Sequence, residues 1–178
     1  MPTQTISASV DIAVPVAKVY AYVADLPRHV EWNHQPRVMT PLTEGPLRVG
    51  SRFETEEGAP STLKLRDRMM FGLLMPLALR YLGSPGRTIA EVTALDADRR
   101  VSWKAHMPSR RKGDLMRMSW EIELTPIEGG TQVVQRGVAA PPDTSPFARM
   151  ANADMASAMQ DEVAGNLSRL KDILESSL

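Results

Sequence analysis

The residues of this chain that could do chemistry are three histidines, three tryptophans, three tyrosines and a scatter of arginines, and their spacing assembles no familiar catalytic set. His29 and His34 stand five positions apart with Glu31 between them. Such a pair could start a metal site, but no third ligand follows at a spacing a metal would use, so no metal is expected. His106 lies opposite Trp103 in strand parity, which predicts a solvent-facing imidazole. The chain contains no cysteine, which removes thiol nucleophiles, thiolate metal sites and disulfides. It has no Gly-rich phosphate loop, no Gly-x-Ser-x-Gly elbow and no His-Glu-x-x-His pair. Serines and aspartates are present, yet no signature brings them to a histidine. No cofactor is expected, and the catalytic residues, if any, are unknown.

The large apolar side chains suggest a different chemistry, the burial of an apolar ligand. Trp32, Trp103 and Trp120 each offer a broad ring and one indole donor, which suits a ligand carrying a few oxygens. Plain core packing would use them equally well. Tyr20 is the inward tyrosine by helical spacing, and Phe53 shares a strand face with Thr55. Met116 and Met118 share the face of Trp120, and Met155 and Met159 recur along a C-terminal helix. Eleven methionines outnumber the three Trp, three Tyr and three Phe together. Methionine is flexible and polarizable, so it fits either an irregular core or an adaptable cavity wall. Arg117 falls opposite the Trp120 face and should meet solvent; Arg136 shares parity with Val134 and Val138, which leaves its side open.

The elements that must position these residues follow from periodicity. Ile6, Ala8, Val10 and Ile12 alternate with polar residues, as in a half-buried strand. Pro15 suits the first turn of a helix, which continues through Val16, Val19, Tyr20 and Val23 and stops at Asp25-Leu26-Pro27. Arg28 to Asn33 reads as a short turn. Strands are expected at Arg37 to Glu44, Ser51 to Glu57, Arg87 to Leu95, Arg100 to His106, Leu115 to Thr125 and Thr131 to Ala139, the later ones joined by tight turns and hence antiparallel. Leu115 to Thr125 alternates most strongly, with Met116, Met118, Trp120, Ile122 and Leu124 on one face. From Ser145-Pro146 towards Ser176 the period becomes helical, and Met155, Met159, Val163, Leu167, Leu170 and Leu174 line one side. That stripe predicts a helix packed on a sheet, its Met150, Met155 and Met159 end facing either core or cavity.

This order resembles the START-like superfamily, the polyketide cyclase/dehydrase and lipid-transport (SRPBCC) proteins. The resemblance rests on the Ser7 to Ile12 strand before Pro15-Val16-Ala17-Lys18-Val19-Tyr20, on Ala24-Asp25 with Trp32-Asn33, on Ala90-Glu91-Val92-Thr93 with Val101-Ser102-Trp103, and on Gly129-Gly130-Thr131. It implies an α+β helix-grip fold over residues 1–178 as one domain: a curved antiparallel sheet wrapped around a long C-terminal helix, with an apolar space between them. It also implies a small hydrophobic ligand, lipid-like or polyketide-like, or alternatively a cyclase or dehydratase acting on such a ligand.

Relatives resembling this pattern pass from the Phe53 strand to the Val92 strand through a short turn, whereas here Gly58 to Gly86 intervenes. Its centre, Met69 to Leu79, is continuously apolar but far shorter than the ~20 residues a membrane-spanning helix needs. Three readings stand open: a strand over Ser61 to Met70 followed by a buried helix, a lid moving at Gly72 or Gly83, or a flap making peripheral membrane or partner contact between flanking arginines. Twenty-one basic residues balance twenty-one acidic ones, so net charge offers no reason for nucleic acid as a partner. Met1 to Thr5 lacks the pattern of a signal peptide, and a cytoplasmic monomer or homodimer is the expectation.

Overall fold

In the computed structural model, described at residues 4–34, 38–56, 76–77, 80–81, 84, 86–111, 113–140 and 146–177, seven strands form one antiparallel sheet. Side chains of residues 4, 139–140 and 146–156 lie outside the description. Strand β1 (Gln4–Ile12) leads into α1 (Val16–Ala24), a 3-10 turn (Leu26–Arg28) and the single-turn α2 (His29–Trp32). Then come β2 (Val38–Pro41), β3 (Arg52–Glu56), β4 (Arg87–Asp96), β5 (Arg100–Ser109), β6 (Gly113–Ile127) and β7 (Gly130–Ala140), and finally helix α3 (Pro146–Ser176). The order across the sheet is β1-β7-β6-β5-β4-β3-β2. Consecutive hairpins build β2 to β7, while α1 and α2 carry the chain from one sheet edge to the other. This is the helix-grip arrangement that the resemblance implied.

Local chemistry explains the joints. Asp98, at a φ of 58°, and Gly129, at 80°, occupy the left-handed conformation that tight hairpins demand. Pro15 stands just outside α1 rather than in its first turn; its carbonyl accepts from the N–H groups of Lys18 and Val19. The Arg28 to Asn33 stretch, expected as a turn, is helical as far as Trp32, and Leu26 just before it is buried. The strands run past their expected ends, β6 to Ile127 and β5 to Ser109, since pairing with a neighbour extends a ladder beyond the hydrophobic pattern. The predicted strand over Ser61 to Met70 lies outside the described residues, as does the Met69 to Leu79 segment except for Pro76 and Leu77.

Inward parity on every strand builds one core: Ile12, Val92, Val101, Ile122, Leu124 and Val133 meet Val19, Val23 and Leu26 of the helices and Leu167 and Leu170 of α3. Helix α3 is also tied to the outer edge of β1. The Gln160 amide both accepts from Ser7 N–H and donates to Ser7 C=O, Lys171 donates to Asp11 C=O at 2.7 Å, and Glu175 accepts from Ala13 N–H at 2.8 Å. A strand edge that could recruit another strand is thereby occupied by helix side chains. Gln160→Ala should cost about 1 kcal/mol in urea denaturation, the net worth of two partly solvated hydrogen bonds. No loss of stability would show that the edge is held by packing alone.

Candidate functional site

His29 and Trp32 lie three residues apart on α2, so both project from the same side of its single turn into the concave side of the sheet. There they meet Trp103 of β5. The His29 and Trp32 rings are 4.9 Å apart, His29 and Trp103 are 5.2 Å apart edge-to-face, and Trp103 stacks on Trp120 of β6 at 6.5 Å with planes inclined by 21°. Trp120 can lie flat because its neighbour on β7 is Gly137, where a Cβ would stand 2.3 Å from the indole. A chain of four rings thus crosses from α2 to the middle of the sheet.

The imidazole is sealed within this group. His29 is 1% exposed, and its Nε2 is 2.7 Å from the Val23 carbonyl. A carbonyl only accepts, so Nε2 carries the proton and Nδ1 the lone pair. Burial pushes its pKa down to about 4, against a smaller opposing pull from the Val23 hydrogen bond, and the ring is neutral at neutral pH.

Burial along the concave face is graded. At the end near the β4–β5 turn, Val101, Ile122, Leu124 and Val133 are almost wholly buried. Towards the β5–β6 turn, the inward-facing Met107, Met116, Met118 and Trp120 are only half-buried. In the rungs of Trp120 and Met118 some inward positions are small: Gly137 opposite Trp120, and Ala105 and Ala90 in line with Met118. Among the described residues, three buried polar atoms on α2 and the inward faces of β4 and β7 have no partner: Trp32 Nε1, Thr88 Oγ1 and Gln135 Oε1.

The expected site residues distribute over this gradient. Trp32, Phe53 and Trp103 are buried; Tyr20, Met116, Met118, Trp120 and Met159 are half-buried; the Met155 side chain lies outside the described residues. The structure joins Trp32, Trp103 and Trp120 through His29. It places Tyr20 at the closed end instead, where burial and then the Asp96 and Asp98 carboxylates raise its pKa. His29, Thr88 and Gln135 were not among the expected residues. Thr88 and Gln135 carried a signal, since Thr88 shares parity with Ala90 and Val92 and Gln135 with Val133; His29 carried none, because its stretch reads as a turn.

The other polar candidates lie elsewhere. His34 does not pair with His29: its N–H donates to Asn166 Oδ1 on α3 at 3.1 Å, and its Nε2 accepts from Arg169 at 3.0 Å. Burial and Arg169 both lower its pKa. His106 lies on the outer face of the sheet, with Nδ1 3.7 Å from Asp114, which also receives the Arg117 guanidinium at 2.9 Å. Arg136 faces outward as well, between Glu121 and Glu123. A groove of about 370 Å³ crosses that outer face, lined by Arg52, Glu91, Lys104, His106 and Arg117 among others. Its lining mixes these charged side chains with the apolar residues Ile89, Ala105, Met118 and Val138. Among the described residues no three His, Asp or Glu side chains gather as metal ligands, and no helix is long and apolar enough to cross a membrane.

A curved antiparallel sheet gripping a C-terminal helix, with an aromatic and methionine-lined concave side, defines a helix-grip fold. The chain belongs to the family described as polyketide cyclase / dehydrase and lipid transport, whose profile it matches over residues 3–175. Among solved structures it is similar to DR_A0006 of Deinococcus radiodurans, at 22% identity and a TM-score of 0.57 with 98% of each chain covered. TTHA0849 of Thermus thermophilus superposes with a TM-score of 0.65 at 15% identity, covering 98% of this chain and 99% of that one. DynU16, a protein of the dynemicin biosynthetic locus, matches 99% of this chain and 49% of its own length at 15% identity and a TM-score of 0.56. At these identities the structural likenesses show the fold alone. A search of curated protein sequences found no match.

Proposed function

We propose that this protein binds a small hydrophobic molecule, lipid-like or polyketide-like, between the concave face of the sheet and α3. The observation that carries the reading is the burial gradient: the inward face is sealed at the Val101 end and left half-open at Met107, Met116, Met118 and Trp120. Soluble folds bury inward-facing methionine and tryptophan unless something else is to cover them. At ~25 cal/mol per Å², covering roughly 200 Å² of apolar surface would contribute about 5 kcal/mol before the costs of association. The unpartnered Trp32 and Thr88 atoms would answer a ligand oxygen or hydroxyl. Membership of a family that includes lipid transport agrees with this.

The described residues favour binding over turnover. Proton transfer needs an acid or base in reach of the ligand. The imidazole on the concave side, His29, has its Nε2 proton committed to the Val23 carbonyl and its ring covered by Trp32 and Trp103.

The reading is tested with an environment-sensitive dye and with long-chain fatty acids and polycyclic aromatics as competitors. Saturable dye fluorescence, displacement by one of these classes and a ligand-dependent rise in melting temperature are expected. Met118→Glu, which puts a charge on the half-open face, should weaken dye binding at least tenfold, an effect of about 1.4 kcal/mol. Equal dye binding by wild type and Met118→Glu would sink the reading.

A further inference from the structure

The turn between β5 and β6 carries Arg110, Arg111 and Lys112 in sequence. The chain approaching β4 passes beside it, helical at residues 76–77 and 80–81. Arg111 ties the two together: its Nη1 donates to the Tyr81 carbonyl at 2.8 Å, and its guanidinium stands 5.8 Å from the centre of the Tyr81 ring. Tyr81 is nevertheless 75% exposed, and Leu77, one helical turn before it, is 62% exposed. These are the two most exposed large apolar side chains among the described residues.

Arg80, Arg110 and Arg111 are exposed, and among the described residues none has a carboxylate within ion-pair distance. On the strands Arg87, Arg100, Arg117 and Arg136 each face an acidic partner, while Arg52 and Lys104 have no ion pair among the described residues. Uncompensated cations and exposed apolar side chains therefore coincide at one corner. That corner borders the open end of the concave face, because Met107 and Met116 pair just inside the Ser109–Gly113 closure of the same hairpin.

We propose that this corner docks on an anionic lipid bilayer. Tyr81 and Leu77 enter the boundary between headgroups and acyl chains, where an amphipathic ring is favoured. Arg80, Arg110 and Arg111 meet lipid phosphates, which the planar guanidinium binds through paired hydrogen bonds. The overall charge of zero is no obstacle, since attraction to a charged surface acts within about a Debye length, ~10 Å at moderate salt. Each basic side chain at such a surface is worth about a fivefold gain in partition. The role of the contact, passing an apolar ligand between the bilayer and the half-open face, rests on the binding function proposed above; the contact itself does not.

The experiment is co-sedimentation of the full chain with vesicles of phosphatidylcholine alone and of phosphatidylcholine mixed with phosphatidylserine. Binding to the mixed vesicles only, falling steeply with added salt, is expected. The Arg80→Glu/Arg110→Glu pair should reduce it by more than about 25-fold, and Tyr81→Ala should weaken it at constant salt, while both variants keep wild-type dye binding in solution. No sedimentation with mixed vesicles at low salt, or sedimentation unchanged in the double variant, overturns the proposal. Binding to soluble polyglutamate with no effect of Tyr81→Ala would assign the surface to an acidic polypeptide and overturn it equally. Loss of dye binding with vesicle binding intact would instead remove the ligand-binding function and leave the docking surface standing.

Discussion

Lowering the pH from about 6.5 to about 4 should cost the folded protein about 3 kcal/mol through His29 alone. The sign follows from where protons bind. Unfolded, the imidazole titrates at its ordinary 6.5; folded, burial holds it neutral down to about 4. Between those values the unfolded chain binds more protons, so acidification favours unfolding. Above pH 6.5 the group contributes no pH dependence, and below 4 the loss is complete. Attraction between an imidazolium and the Trp32 and Trp103 rings, about 2 kcal/mol for a desolvated contact, works against this loss. Carboxyl groups in general add their own pH dependence in acid, so the measurement is a difference. Urea unfolding at several pH values is compared for wild type and His29→Gln, whose amide can still donate to Val23 C=O. The variant should show a slope shallower by one proton between pH 4 and 6.5. Parallel slopes would mean that the imidazole is protonated in the folded state.

Gly137→Ala is expected to destabilise the fold by roughly 1–3 kcal/mol, the usual cost of forcing a methyl group into a filled interior. The added Cβ would lie 2.3 Å from one Trp120 ring atom and within 2.8 Å of two more. No small adjustment accommodates that, so Trp120 must leave its place over β7 and give up its stacking on Trp103. The ring is half-buried, and its free side faces the half-open end of the concave surface. Displacement in that direction should occupy space proposed for the ligand. Loss of stability should therefore come with a shifted tryptophan emission and weaker dye binding. Gly137→Ala/Trp120→Leu, which removes the clash, should recover most of the stability. If the single substitution leaves stability and emission unchanged, the close approach of Trp120 to β7 is not real.

Several of these features were legible before any fold was known. The alternation through Met116, Met118, Trp120, Ile122 and Leu124 placed those side chains on one face, and pairing with β5 and β7 keeps them there. The step through Val163, Leu167, Leu170 and Leu174 set the buried side of α3. Parity alone put Arg117 and His106 outside. These properties depend on the period of one element, which neighbouring residues determine whatever the rest of the chain does.

His29 shows where that reasoning stopped. By sequence it stood in a polar stretch beside Glu31 and His34, and parity had nothing to act on in so short an element. Its burial follows from α2 being carried across the open side of the sheet onto Trp103, far along the chain. The same crossing divided the two neighbouring histidines, one sealed against Val23 and the other held by Arg169. Arg136 was undecided because Val134 and Val138 share its parity; pairing of β7 with β6 put it between Glu121 and Glu123.

Periodicity, turn residues and element order thus determined by themselves that this chain makes an antiparallel sheet with one long helix, and which side of each strand is apolar. Only the tertiary structure decided which apolar side chains remain half-open and which ionisable group is locked neutral. It also decided that uncompensated arginines stand beside Tyr81. The physical reason is that faces are set by local steric repeats, whereas solvent exclusion and charge pairing depend on distances between residues remote in sequence. Those distances follow from the curvature of the sheet and the path of the chain across it.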